Sequence, residues 1–184
     1  QVSPDNGISG WDWCSGYHYS DSKTIGFSHL HLSGTGIGDL TDIRVMPINK
    51  KVDLSLPVKS RDDLPYISKY SHANEKANPG YYSVFLEDFG IKAELTTDLR
   101  TAFHRYTFND GEDQSLILDL GYTVNWDKTV DSKITIEDKY TVSGFRHSTG
   151  WAKNQKVYYV LQFSKSINGY DLYKGNTKVE KSNT

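Results

Sequence analysis

The chain is predicted to be all-β, an antiparallel two-sheet β-sandwich left incomplete at its edges. Strand-type alternation recurs from residue 24 onward, short turn signals separate the runs, and no stretch of comparable length carries a capped 3.6-residue apolar stripe. Consecutive strands joined by short turns must each bury one face, and packing two antiparallel sheets together does this for all of them.

In chain order, Tyr82, Val84 and Leu86 form the first clear inward set. Asp88, Phe89 and Gly90 supply a tight connection, after which Ile91, Ala93, Leu95, Thr97 and Leu99 alternate with Lys92, Glu94, Thr96, Asp98 and Arg100. Period-two alternation sends one set to a core and the other to water, so the two runs read as a hairpin. Residues 103–108, 115–122, 133–137, 140–145 and 156–164 are further strands, with turns at Glu137 to Lys139 and at Lys174 to Thr177. The polar end from Lys178 to Thr184 is expected to fray. No internal repeat or linker divides the 184 residues, which suit a single domain.

Composition narrows the partners. The 21 basic and 23 acidic residues give a net charge of −2 and are scattered. Nucleic acids and membrane surfaces call for a concentrated basic patch, so neither is expected as a partner. A neutral ligand fits better, and the 13 Tyr and 4 Trp are rich in flat amphipathic rings, which favour strands and stack on sugar faces. Most of those tyrosines are packing residues. Cys14 is the sole cysteine, so an internal disulfide is impossible and the redox compartment stays open. No apolar run approaches the roughly 18 residues of a membrane span, and the opening residues lack a signal-peptide pattern. With no initiating Met, the chain is expected to be processed or cut from a longer one.

Residues 11–47 differ from the rest. Trp11, Asp12, Trp13, Tyr17, His18, Tyr19, Asp21, His29, His31, Asp39 and Asp42 lie among Gly10, Gly16, Gly26, Gly34, Gly36 and Gly38. That density of polar and aromatic groups exceeds what a core needs. It suits a ligand surface, where glycine lets the backbone approach closely and Trp and Asp offer stacking and hydroxyl binding.

Other motifs point less far. On a strand, His29 and His31 would share a face, a spacing a transition metal could use with Asp39 or Asp42, but no clear third ligand follows and hydrogen bonding is the simpler role. The glycine run Gly34 to Gly38 lacks the Lys-Ser/Thr of a phosphate loop and the dinucleotide spacing, so it reads as a turn. No nucleophile motif surrounds Cys14, which reads as a passive thiol. The pairs Asp62 with Asp63 and Glu112 with Asp113 sit in polar loops as solvated groups, and spacing selects no opposed pair for glycosidic chemistry.

The run Trp11 to Ser22, followed by Gly26 to Gly36, Gly38 and Asp39, resembles glycoside hydrolase family 92, the calcium-dependent exo-α-mannosidases. The resemblance continues through Asp42 and Ile43, Met46 and Pro47, Tyr70 to His72 with Glu75, Pro79 to Tyr82, Glu94 to Thr96, Arg100, His104 to Phe108, and Trp151 with Ala152. It covers about residues 1–165. Leu30 stands where the family often has Thr, and Ser166 to Thr184 is hard to align.

The resemblance implies a two-domain bacterial enzyme that removes terminal α-linked mannose with inversion, periplasmic, cell-surface or secreted. Residues 1–184 would be part of its N-terminal β-sandwich, its C-terminal (α/α)₆ catalytic domain being absent. A glutamic acid, an aspartate and the calcium ligands of the family belong to that catalytic domain, so no catalytic residue, metal ligand or bound cofactor is expected here, and the chain alone is expected to be inactive. Inverting carboxyls stand about 6.5 to 9.5 Å apart to admit water. The expected role is a wall of the mannose pocket of an α-1,2-type enzyme at the domain interface, with Trp11, Asp12, Tyr17, His29 and His31 as its substrate-binding residues. The expected partners are a mannose-containing glycan and the enzyme's own catalytic domain. Two alternatives stand beside it: a free-standing lectin-like module using residues 11–31, and a metal-dependent enzyme centred on His29 and His31.

Overall fold

The computed structural model describes residues 3–7, 16–31, 40–111, 113–124 and 126–179. The first strands are β1 (Ser3–Asp5), β2 (Lys23–Thr24), β3 (Gly26–Ser28) and β4 (Arg44–Ile48). Next come β5 (Ser68–Lys69), β6 (Lys76–Asn78), β7 (Tyr81–Leu86), β8 (Ile91–Thr97), β9 (Ala102–Thr107) and β10 (Ser115–Asp119). A meander follows, β11 (Lys128–Ile136), β12 (Thr141–Thr149) and β13 (Gln155–Gln162), and then a ribbon of β14 (Leu172–Lys174) and β15 (Thr177–Val179).

Two four-stranded sheets make the sandwich, one in the order β1-β3-β4-β10 and the other β6-β7-β8-β9. All the strand pairings are antiparallel. Phe27, Val45, Met46 and Ile48 from the first sheet share one core with Val84, Leu86, Ile91, Ala93 and Leu95 from the second. Leu64, Tyr66 and Tyr70 join that core from the long connection between β4 and β6. All five residues of β4 are buried, as expected of a strand covered on both faces. Gly26 is required where β3 meets β4: its φ is 137°, and a Cβ there would lie 2.7 Å from the Val45 carbonyl oxygen.

The predicted hairpin is present, with Leu86 opposite Ile91 and Gly90 in the turn at φ 62°. Its alternation stops sooner than the sequence pattern does. Ile91, Ala93 and Leu95 are buried, but Leu99 is 97% exposed. β8 ends at Thr97, and the Asp98 N–H donates to the Thr101 carbonyl at 2.8 Å, so the turn carries Leu99 into solvent.

Beyond the two-sheet expectation, β11, β12 and β13 form a sheet of their own, with strands longer than the apolar runs suggested. Its extra length is polar sequence recruited by backbone pairing, which alternation cannot show. A register shift between Thr129 and Asp131 bulges Val130 outward, 69% exposed. We predict that Leu86→Ala, which empties a fully buried site, costs about 3 kcal/mol. Leu99→Ala should change stability by under about 0.5 kcal/mol, and urea unfolding of the two variants checks the contrast.

Candidate functional site

The segment expected to face a ligand leaves β3 at Ser28, where the chain stops pairing with β1. The His29 N–H then donates to the Asp42 carbonyl at 3.0 Å, and Leu30 bridges to Asp42. His29 and His31 therefore do not sit on a continuous strand, and their rings take different partners. His29 Nδ1 lies 2.5 Å from the Ile43 carbonyl oxygen, while its Nε2 meets His104 Nε2 at 3.1 Å. His104 Nδ1 lies 2.6 Å from the Tyr106 hydroxyl.

These contacts fix the protons. A carbonyl oxygen only accepts, so His29 carries its proton on Nδ1 and accepts at Nε2 from the His104 Nε2–H. His104 then accepts at Nδ1 from the Tyr106 hydroxyl. Both rings are neutral in this arrangement. Burial lowers the pKa of His29, and burial together with the neighbouring His29 pushes His104 down to about 3. His31 folds back, with Nε2 3.2 Å from both the Ser28 hydroxyl and the Ser28 carbonyl oxygen. Burial lowers its pKa too, against the opposing pull of Asp5.

Tyr17 belongs to a second cluster built round the Glu75 carboxylate, which is 8% exposed. The Tyr17 hydroxyl donates to it at 3.2 Å and the Tyr82 hydroxyl at 2.6 Å, and His72 Nδ1 is its third partner. Burial first, and then the nearby Glu75, raises the Tyr17 pKa, so its hydroxyl stays a donor. Tyr19 stacks on the His72 ring at 4.3 Å beside a surface cavity of about 540 Å³ that Tyr19, Asp21, Lys69, Tyr70 and His72 help to line.

Behind the His29 segment the backbone is strained. Leu40, Thr41 and Ile43 have φ of 75°, 24° and 54°, values that side chains, and β-branched ones above all, rarely adopt. Asp42 holds this stretch in place. Its carboxylate is fully buried, pairs with Arg146 Nη1 on β12, and accepts from the Gln155 amide on β13. Arg146 Nη2 pairs with the buried Asp127, and Nε donates to the Thr129 hydroxyl at 3.0 Å. Burial pushes the Asp42 carboxyl up to about 6, with Arg146 drawing it back. A second buried guanidinium, Arg44, meets Asp5 at 3.2 Å and Asp119 at 2.7 Å. Burial opposes the Asp119 charge, but Arg44 and the Tyr66 hydroxyl outweigh it and hold its carboxyl at about 2.

Of the residues the sequence singled out, Tyr17, His29 and His31 are thus tied into hydrogen-bonded clusters, and Trp11 and Asp12 lie outside the described residues. Reading the sequence for chemistry missed His104, Tyr106, Asp127 and Arg146 as members. The i, i+2 spacing of His104 and Tyr106 was a signal for two polar rings on one face of a strand. Among the described residues no three of His, Cys, Asp and Glu are grouped to hold a metal ion. The buried carboxylates are committed instead to guanidinium, hydroxyl and amide donors, so the chain's described groups do not fit a calcium site.

Fold and site together define a β-sandwich domain whose polar and aromatic groups are locked in place by hydrogen bonds. The chain belongs to glycosyl hydrolase family 92: residues 1–184 match the family described as the glycosyl hydrolase family 92 N-terminal domain. It is 33% identical to a family GH92 α-mannosidase of Bacteroides thetaiotaomicron, with a TM-score of 0.88 over 100% of this chain and 25% of that one. The same enzyme in complex with mannoimidazole gives 33% identity and a TM-score of 0.88, over 100% of this chain and 24% of that one. The GH92 family glycosyl hydrolase ccman5 is 26% identical, with a TM-score of 0.66 over 86% of this chain and 22% of its own. The chain therefore spans about a quarter of the length of the structures it matches. Comparison with curated proteins returned no match.

The neutral histidine pair makes stability depend on pH. Unfolded histidines take up protons near pH 6.5, whereas the folded pair does so only lower, so the unfolded chain binds more protons below that value. Stability then falls as pH drops from about 7 to 5, by up to about 1.4 kcal/mol per pH unit from His104, whose folded pKa is down at about 3, with His29 adding to the fall in the same direction. His104→Asn should make the slope shallower in urea unfolding across that range. Arg146→Met, which leaves Asp42 and Asp127 buried without their cation, should cost about 3 to 5 kcal/mol in the same assay.

Proposed function

We propose that this chain is the N-terminal domain of an exo-acting α-mannosidase and forms one wall of its mannose pocket, with the reacting groups supplied by a C-terminal (α/α)₆ domain. The observation that carries the reading is the match of the whole chain to the family's N-terminal domain and to about a quarter of the length of an α-mannosidase whose structure is also known in complex with mannoimidazole. The clusters around Glu75 and His29 support it, because a wall that orients a sugar must hold its donors and acceptors in one arrangement.

In this proposal Trp11, Asp12, Tyr17, His29 and His31 bind the terminal mannose or brace the groups that do. The neutral imidazoles of His29 and His104, with both nitrogens of each already engaged, brace the wall without adding net charge, which suits an uncharged polyol. The enzyme cleaves α-1,2 linkages by inversion, a water being activated on the far side of the sugar from the general acid. Calcium is held by the remainder of the enzyme. Among the described residues no helix is long and apolar enough to cross a membrane, and a periplasmic, cell-surface or secreted location in bacteria fits glycan degradation.

Two measurements test the reading. The isolated chain should not hydrolyse α-1,2-mannobiose or an aryl α-mannoside, and appreciable turnover would overturn it. In the whole enzyme carrying this domain, Tyr17→Phe and His31→Ala should lower kcat/KM for mannobiose by about tenfold, a loss of about 1.4 kcal/mol of transition-state binding. Unchanged kinetics in both variants would remove these residues from the pocket wall. Strong saturable mannose binding by the isolated chain would favour the lectin-like alternative.

A further inference from the structure

Trp126 and Trp151 are large apolar side chains left 47% and 62% exposed. Their ring centroids are 6.1 Å apart and their planes are tilted by 31°. The rings come from two loops far apart in sequence, yet both loops are held by the same buried cation. Trp126 precedes Asp127, whose carboxylate pairs with Arg146 Nη2. Trp151 lies in the hairpin between β12, which carries Arg146, and β13, which begins at Gln155. Gln155 donates to the same Asp42 carboxylate that meets Arg146 Nη1.

This ties the pair to the candidate pocket wall. Asp42 is the residue whose carbonyl receives the His29 N–H, and the strained stretch Leu40 to Ile43 turns on it. The indoles and the His29 segment are thus two branches from one buried Arg146–Asp42 hub. Exposed apolar surface on a rigid frame marks a binding surface, because the cost of ordering it has already been met in the free protein. Flat indoles select flat apolar faces, and the C–H face of a pyranose is one that also carries hydroxyls at its rim. The same hairpin offers exposed Lys153 and Asn154 as rim groups for those hydroxyls.

We propose that Trp126 and Trp151 form a stacking platform for the sugar units next to the terminal mannose, so that this domain contributes to choosing the glycan as well as walling its first residue. The proposal rests on the α-mannosidase reading. A ring spacing of 6.1 Å is comparable to that between successive rings of an oligosaccharide, so the platform suits a disaccharide or longer chain and offers a lone mannose only one ring.

The test is an NMR titration of the 184-residue chain labelled at its indole nitrogens, with the Trp126 and Trp151 signals assigned by Trp126→Phe and Trp151→Phe. Mannose, α-1,2-mannobiose and a linear α-mannan oligosaccharide are the probes. The expected result is saturable movement of both indole signals with the oligosaccharide, tighter than with mannose. Trp151→Ala should weaken the oligosaccharide response, read at the Trp126 indole, by about tenfold. The exposed site makes that variant tolerable, and an unchanged urea midpoint confirms it. If neither indole moves with the oligosaccharide while Tyr17→Phe and His31→Ala still lower kcat/KM in the whole enzyme, the platform is overturned and the pocket wall stands. If nothing responds, the platform is again overturned, and the exposed rings are then a seat for another part of the enzyme chain.

Discussion

A guanidinium buried to 2% exposure between two carboxylates holds the third sheet to the strained loop that supports His29. Removing Arg146 from water is costly, and the cost is offset because each nitrogen of its fork finds an acceptor: Asp42 at Nη1, Asp127 at Nη2, and the Thr129 hydroxyl and Leu120 carbonyl at Nε. These acceptors come from two separate stretches of the chain, Asp42 from one and Leu120, Asp127 and Thr129 from the other. Arg146 therefore joins the third sheet to the loop behind the candidate pocket wall, in a geometry that apolar contact alone would leave free to slide.

The strained stretch from Leu40 to Ile43 depends on that anchor. Positive φ at three residues with side chains persists only where surroundings over-determine it. Here Asp42 is held through its side chain by Arg146 and Gln155, and its carbonyl and that of Ile43 accept from the His29 backbone and ring. The strain in turn aims the Ile43 carbonyl at His29 and so sets the direction of the hydrogen-bond chain through His104 to Tyr106. Arg44, between Asp5 and Asp119, does for the first sheet what Arg146 does for the third.

Much of the sandwich was legible because burial imposes a period of two on a strand: Val84, Leu86, Ile91, Ala93 and Leu95 announce their face without help from the rest of the chain. Leu99 misled for the same reason, since alternation continues in sequence after the backbone has turned at Asp98. The polar ends of β11 and β12 were illegible, because their pairing is backbone to backbone and leaves little trace in side-chain type. The segment proposed to face a ligand was visible as a concentration of aromatic and polar residues, but its partners were not. Glu75 and His104 entered only through resemblance, and Asp127 and Arg146 looked like any charged residues of a loop and a strand.

By itself, then, the sequence determined the all-β class, the principal hairpin, the family and the stretch of chain that carries the polar and aromatic groups. Each of these is written in local spacing or in an ordered series of motifs. Tertiary structure alone decided that His29 meets His104 while His31 turns back to Ser28, that Tyr17 serves Glu75, and that Trp126 lies beside Trp151. Those pairings join residues up to 75 positions apart, and such contacts are set by how sheets stack and which buried charges find each other, which no local pattern encodes.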